Sequence, residues 1–219
     1  MMKSRTPSKK FFFSVEGDTE KWYLMRLQRL MGENSTESNV KIDCKVEKDP
    51  LARVRGITVL SKTEIVHMLD MECERYSDIQ KFETVLSKMK KAEGLGKSVK
   101  YILGYSNLSF ELWIILHKAD FYVQQSNCSG YLPYINRYYG ETFESLNEYK
   151  EEKNFKRLLD KITIEDVKSA VSRAKKINEN NVSKGYKEIH YANYRYFREN
   201  PSLSLGDIIL KLLDAAGIK

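Results

Sequence analysis

With 219 residues and 42% hydrophobic composition, the chain can bury a substantial core as one globular unit. Charges of both signs are mixed along it, which excludes a disordered single-sign polyelectrolyte, while the net charge of +7 favours a polyanionic partner. Three widely spaced cysteines, Cys44, Cys73 and Cys128, exclude a disulfide framework or a cysteine-rich zinc cluster, and no segment reaches the ~20 apolar residues of a membrane span.

The chain opens on a basic stretch with Lys3, Arg5, Lys9 and Lys10. The apolar run that follows stops at Glu16, too short for a signal-peptide core, so a cytoplasmic location is expected. Phe11 to Val15 reads as a short strand, with Glu16 at its carboxyl end and Gly17 stopping it. Asp18 or Thr19 is then expected to cap a helix with Tyr23, Leu24, Leu27, Leu30 and Met31 on one face and Gly32 at its end. Val40 to Val46 alternates with period two, as in a strand near a sheet edge. Lys48 to Lys62 carries Pro50 and Gly56 and receives no assignment. Ile65 to Leu69 is apolar enough for a buried central strand and ends in Asp70-Met71-Glu72.

Helical spacing returns over Ile79 to Lys91, and Gly94 and Gly96 end that segment. Val99 to Tyr105 reads as a strand. Phe110 to His117 is apolar nearly all round and reads as a buried helix, with Ser106 and Asn107 as caps. Strands alternating with helices predict a mostly parallel α/β sheet flanked by helices, with ligands beyond the carboxyl ends of its strands. The expected organisation is an α/β core over residues 1–128 and a helical part rich in Tyr, Lys and Arg over 129–219, packed on the core. Within that part Val167, Ala170, Val171, Ala174 and Ile177 mark one amphipathic helix, and Ile208, Ile209, Leu212 and Leu213 a terminal one.

Parallel strands bring their carboxyl ends to one edge, so Glu16 and the pair Asp70 and Glu72 are expected to converge there. In extended chain the last two project to one side, which suits a hard cation, Mg2+ or Mn2+, bound through oxygens. Acidic residues also flank strands as solvated turn residues, and spacing alone leaves both readings open. Glu111, in the first turn of the buried helix, fits capping or catalysis equally, and Asn107 and Ser109 at that helix start offer a phosphate contact. His67 and His117 read as structural. Gly94-Leu95-Gly96-Lys97 lacks the spacing and the following Ser or Thr of a nucleotide-binding P-loop.

Between Lys150 and Asn200 stand 13 Lys and Arg against 8 Asp and Glu. Rings and cations interleave from Tyr186 to Arg198, where Lys187, Tyr191, Tyr194, Arg195 and Arg198 suit stacking on bases and contact with phosphates. The alternative is an amphipathic helix whose tyrosines pack and whose charges are solvated.

Three segments carry a resemblance. Ser14-Val15-Glu16-Gly17-Asp18-Thr19-Glu20, Leu69-Asp70-Met71-Glu72 and Ser106-Asn107-Leu108-Ser109-Phe110-Glu111-Leu112-Trp113-Ile114-Ile115-Leu116-His117, with Asn200-Pro201-Ser202 near the end, resemble the motifs of the RloB-like family of TOPRIM-like proteins. Glu72 stands where the family pattern has a second aspartate, and Leu108 where it has proline. The resemblance implies a TOPRIM-like fold, a Mg2+- or Mn2+-dependent nuclease-like activity related to the OLD-type nucleases, and a place in anti-phage, abortive-infection systems beside a separate ABC-type ATPase. The reading carried forward is a metal-dependent phosphodiesterase acting on DNA or RNA. Its rival is a catalytically silent TOPRIM-like module that binds nucleic acid or regulates the ATPase.

Overall fold

The computed structural model describes residues 9–35, 39–59, 61–72 and 75–219. Lys3 and Arg5 of the basic stretch, Leu60 and Cys73 lie outside the described residues. In chain order the elements are β1 (Lys9–Val15), α1 (Asp18–Asn34), β2 (Val40–Val46), α2 (Pro50–Gly56), β3 (Thr63–Asp70), α3 (Tyr76–Glu93), β4 (Val99–Asn107) and α4 (Glu111–Leu116). After a short 3-10 turn at Cys128–Tyr131 come α5 (Leu132–Tyr139), α6 (Leu146–Lys150), α7 (Glu152–Asp160), α8 (Ile164–Ser183), β5 (Ile189–Tyr191), β6 (Tyr194–Tyr196), β7 (Ser202–Leu203) and α9 (Leu205–Ala215).

The main sheet has the order β2-β1-β3-β4-β7, with the first four strands parallel and β7 antiparallel to β4. As the alternation of elements required, the sheet is mostly parallel and flanked by helices on both faces. Side chains alternate across it. Phe13, Val15, Val66 and Met68 point into a large apolar cluster with α1, α4, α8 and α9, and Ile65, Leu69, Tyr101 and Leu103 into a second one under α2 and α3. The larger cluster runs from Phe13 to Ile218, so the late helices close the same core that the first strand opens. At Gly104 an added Cβ would lie 3.1 Å from both Leu205 Cδ2 and Ile208 Cδ1, and its absence is what lets α9 lie against β4.

Several local expectations need correction. Helix α1 begins at Asp18 itself, with Gly17 in the cap position and no side-chain cap hydrogen bond, and it continues past Gly32 to Asn34. Buried Leu30 and Met31 anchor that last turn, outweighing the ~1 kcal/mol a helical glycine costs. Ser106 and Asn107 do not cap α4. Pairing with Leu203 and Ser202 of β7 extends β4 through both, and Phe110 takes the cap position. The unassigned stretch contains α2, started by Pro50 and by Asp49, whose carboxylate accepts from Leu51 N–H at 3.3 Å. Lys97 closes its other end by donating to the carbonyls of Val54, Arg55 and Ile57 at 2.8, 2.9 and 2.6 Å.

The part beyond residue 129 is not wholly helical. Residues 189–196 form a β-hairpin, turning at Ala192 and Asn193, both with positive φ. Tyr194 and Tyr196 are buried against the second cluster and Arg195 between them is exposed, the period-two pattern of a strand.

Candidate active site

The carboxyl ends of β1 and β3 lie side by side because the strands pair in parallel with Ser14 opposite His67. Glu16 and Asp70 therefore reach the same edge, and a Glu16 carboxylate oxygen accepts from the Asp70 backbone N–H at 3.1 Å. Both are half-buried. Glu72 reaches the same cavity, though not by extended chain: β3 stops at Asp70, and Glu72 has φ 63°, in the left-handed region. Its N–H donates to the Leu108 carbonyl at 2.8 Å, and that bond with the one from Met71 N–H to Ser106 holds the turn. A non-glycine residue there carries roughly 1–3 kcal/mol of strain, which the surrounding bonds must offset.

Two acidic residues complete the edge. Glu20, in the first turn of α1, is 7% exposed and takes a hydrogen bond from the Thr19 hydroxyl at 3.0 Å. A Cβ at Gly17 would stand 3.2 Å from the Glu20 carboxylate, so glycine gives that group its room. Glu111 is 1% exposed and makes an ion pair with Lys150 Nζ at 2.9 Å, while its other oxygen is buried without a hydrogen-bond partner. It stands in the first turn of α4, where the positive helix end favours a carboxylate.

Burial is the main reason the Asp70 carboxyl is pushed well above the usual range, reinforced by the charges of Glu20, Glu111 and Glu16 and opposed by a backbone hydrogen bond from Phe110. Glu16 is raised by burial first, then by Glu20 and Glu72, against the Asp70 N–H and Lys48. Glu20 is also raised by burial, and after it by Glu111. At Lys150 the pull of burial is outweighed by Glu111, and then by Asp70 and Glu20, so its ammonium is held more firmly than usual. Glu16, Glu20, Asp70, Glu72, Lys48 and Lys150 line one cavity of about 360 Å³. Among the described residues no three His, Cys, Asp or Glu side chains stand preassembled as an ion cage.

The other sequence candidates lie apart from this cavity. Asn107 is fully enclosed and donates to the Arg198 carbonyl at 2.7 Å, and Ser109 is 2% exposed. The Leu108 N–H, which proline would lack, donates to the Tyr131 hydroxyl oxygen at 3.2 Å. On the hairpin and its flanks Lys187, Tyr191, Arg195 and Arg198 are exposed, whereas Tyr194 is buried. Arg195 and Arg198 face Glu188 and Glu83 at 3.7 and 3.6 Å, and the Tyr191 hydroxyl meets Ser87 at 3.1 Å.

Glu20, Lys48 and Lys150 were missed by sequence reasoning. A signal existed for Glu20, which precedes Tyr23, Leu24 and Leu27 by three, four and seven residues and so lies on the buried stripe of α1. Lys150 arrives from α6, and no local pattern marks it.

No helix among the described residues is long and apolar enough to cross a membrane. No curated protein and no solved structure matches the chain. A family model described as RloB-like protein matches residues 11–209, taking in the strand-end carboxylates, the α4 segment and the hairpin. The chain belongs to the RloB-like family.

Proposed function

We propose that this protein is a metal-dependent phosphodiesterase acting on nucleic acid, with Glu16, Asp70 and Glu72 as the ligands of a Mg2+ or Mn2+ ion. The observation that supports it is the Glu16 to Asp70 contact at the shared strand-end edge, inside an acidic cluster whose charge is only partly countered by Lys48 and Lys150. The donor set fits a hard cation: every candidate ligand is a carboxylate oxygen, and a buried oxygen of Glu111 stands nearby without a hydrogen-bond partner. Such an ion would polarise a phosphoryl oxygen and lower the pKa of water so that it loses its proton more readily.

The chain's own residues do the rest. In the alternative in which Glu16 does not ligate the ion, its carboxylate, oriented by the Asp70 N–H, serves instead as the general base. Lys150 and Lys48 line the cavity with exposed ammonium groups, and we assign the phosphate contact to them, since Asn107 and Ser109 are enclosed. Lys187, Tyr191, Arg195 and Arg198 supply further contacts to the strand. Family resemblance supports an effector role in anti-phage, abortive-infection defence beside a separate ABC-type ATPase. A second reading, a silent module that binds nucleic acid or regulates that ATPase, draws support from the absence of a preassembled cage among the described residues.

The deciding experiment incubates purified protein with single- and double-stranded DNA and RNA, in Mg2+, Mn2+ or chelator. Divalent-dependent cleavage, lost in Asp70→Asn, is the expected result. No cleavage under any condition, with or without the ATPase, replaces this reading with the binding module.

A further inference from the structure

A second cavity lies beside the acidic one, and Trp22 lines both. Its other walls come from Met25, Arg26 and Arg29 of α1 and from Lys156 and Asp160 of α7, so three cations face one carboxylate. Trp22, Arg26 and Arg29 are spaced i, i+4, i+7 and form one stripe along α1, running away from its first turn where Glu20 sits. From Trp22 to Arg29 that stripe covers about 10 Å along the helix axis.

The side chains are held ready for a polyanion. Arg26 is fixed by a hydrogen bond to the Ile162 carbonyl at 3.3 Å and a long contact to Glu33 at 4.0 Å, yet its Nε is buried with no hydrogen-bond partner. Arg29 is exposed. The Lys156 ammonium lies 5.7 Å from the centre of the half-buried Trp22 ring while also pairing with Glu152. An aromatic face edged by cations is the combination that binds unpaired bases and their phosphates together. On the hairpin Tyr194 is buried, and Arg195 and Arg198 both face carboxylates, as Arg26 and Lys156 do here, whereas Arg29 faces none within 4.0 Å among the described residues.

We infer that Trp22, Arg26, Arg29 and Lys156 form a single-strand nucleic-acid track leading out of the carboxylate cavity, with Trp22 stacking on a base and the three cations taking phosphates beyond it. The inference rests on the phosphodiester reading above. It also assigns direction, because a strand lying here crosses the Glu16 and Asp70 edge at one end and follows α1 at the other.

The test uses the full chain in chelator, so that binding is read apart from cleavage, with labelled single-stranded DNA and RNA probes of about 12 nucleotides. Of the two tryptophans, Trp113 is fully buried, so quenching of emission by the probe reports Trp22. The expected result is quenching on binding, about tenfold weaker affinity for Arg29→Glu at ~100 mM salt, and a shallower salt dependence. Arg29→Gln, a milder change at an exposed site, should weaken binding in the same direction, and Lys211→Glu on the exposed side of α9 should leave it unchanged. Unquenched emission with an unchanged isotherm for Arg29→Glu overturns the track. Loss of the cleavage chemistry with the Arg29 effect intact would sink the enzymatic reading alone.

Discussion

Lys150, the last residue of α6, reaches across to the first turn of α4 and pairs with Glu111 at 2.9 Å, placing the one ammonium of that helix against the acidic edge of the sheet. Glu111 is 1% exposed, and Lys150 is the cation that compensates its charge. Lys150→Met should therefore destabilise the fold by about 1–2 kcal/mol, less than a fully buried pair because the lysine side chain is 43% exposed. Glu111→Gln in the same background should restore part of the loss, and urea denaturation of the single and double variants measures both.

The imidazoles of His67 and His117 are each held down to about 4 by burial. The Trp113 carbonyl can only accept, so His117 donates through Nδ1 at 2.9 Å and its Nε2 accepts from the Tyr23 hydroxyl at 3.2 Å. Since the folded pKa lies below the ordinary 6.5, the unfolded chain takes up the proton first as pH falls. The contribution of the neutral imidazole is complete above about pH 6.5 and is lost on the way down to about pH 4, some 3 kcal/mol in all for one histidine. The stability difference between the wild type and His117→Gln should shrink over that window. A difference independent of pH would mean that the ring is charged inside the protein.

β1, β3 and β4 were legible as short apolar runs and β2 by its period-two alternation, whereas the two-residue β7 carries no such pattern; Glu16 and Asp70 stood out because both end such runs. What stayed hidden depends on contacts remote in sequence. Glu72 was placed by extended geometry, but bonds from Met71 and Glu72 to the Ser106 and Leu108 carbonyls turn the chain into the left-handed region. Asn107 looked like a cap until β7 extended β4 through it. The hairpin was obscured by its Ala192-Asn193 turn, which lacks the Asn-Gly or Asp-Gly signal, although Tyr194, Arg195 and Tyr196 already alternate.

If the hairpin edge contributes to nucleic-acid binding, Lys187, Arg195 and Arg198 act through their charge and not through the fold, since all three are exposed. Replacing them together by Ala should weaken binding and flatten its salt dependence, with the slope of log affinity against log salt falling by about 2–3. Because Arg195 and Arg198 lie near Glu188 and Glu83, the loss should be smaller per residue than at Arg29. Anisotropy titrations across a salt series compare the two surfaces directly.

The carboxylate edge separates enzyme from binding module. Asp70 sits among Glu16, Glu20 and Glu111, and its carboxyl is raised by burial and by their repulsion, so its charge opposes the fold without a cation. Asp70→Asn, nearly isosteric, should leave the melting temperature of the metal-free protein unchanged or slightly higher while abolishing divalent-dependent cleavage and weakening Mn2+ binding by at least about tenfold. Glu72→Asp introduces the aspartate that the motif resemblance implies and shortens the side chain. With its backbone already fixed at φ 63°, the shorter carboxylate should retain cleavage, and its Mn2+ affinity shows whether the oxygen has moved toward or away from the ion. Nucleic-acid binding in chelator should survive both changes, because neither residue is a phosphate contact. Calorimetric titration with Mn2+ beside cleavage assays on the same preparations gives the decision: unchanged Mn2+ affinity in Asp70→Asn, together with unchanged cleavage, would remove this edge from the chemistry.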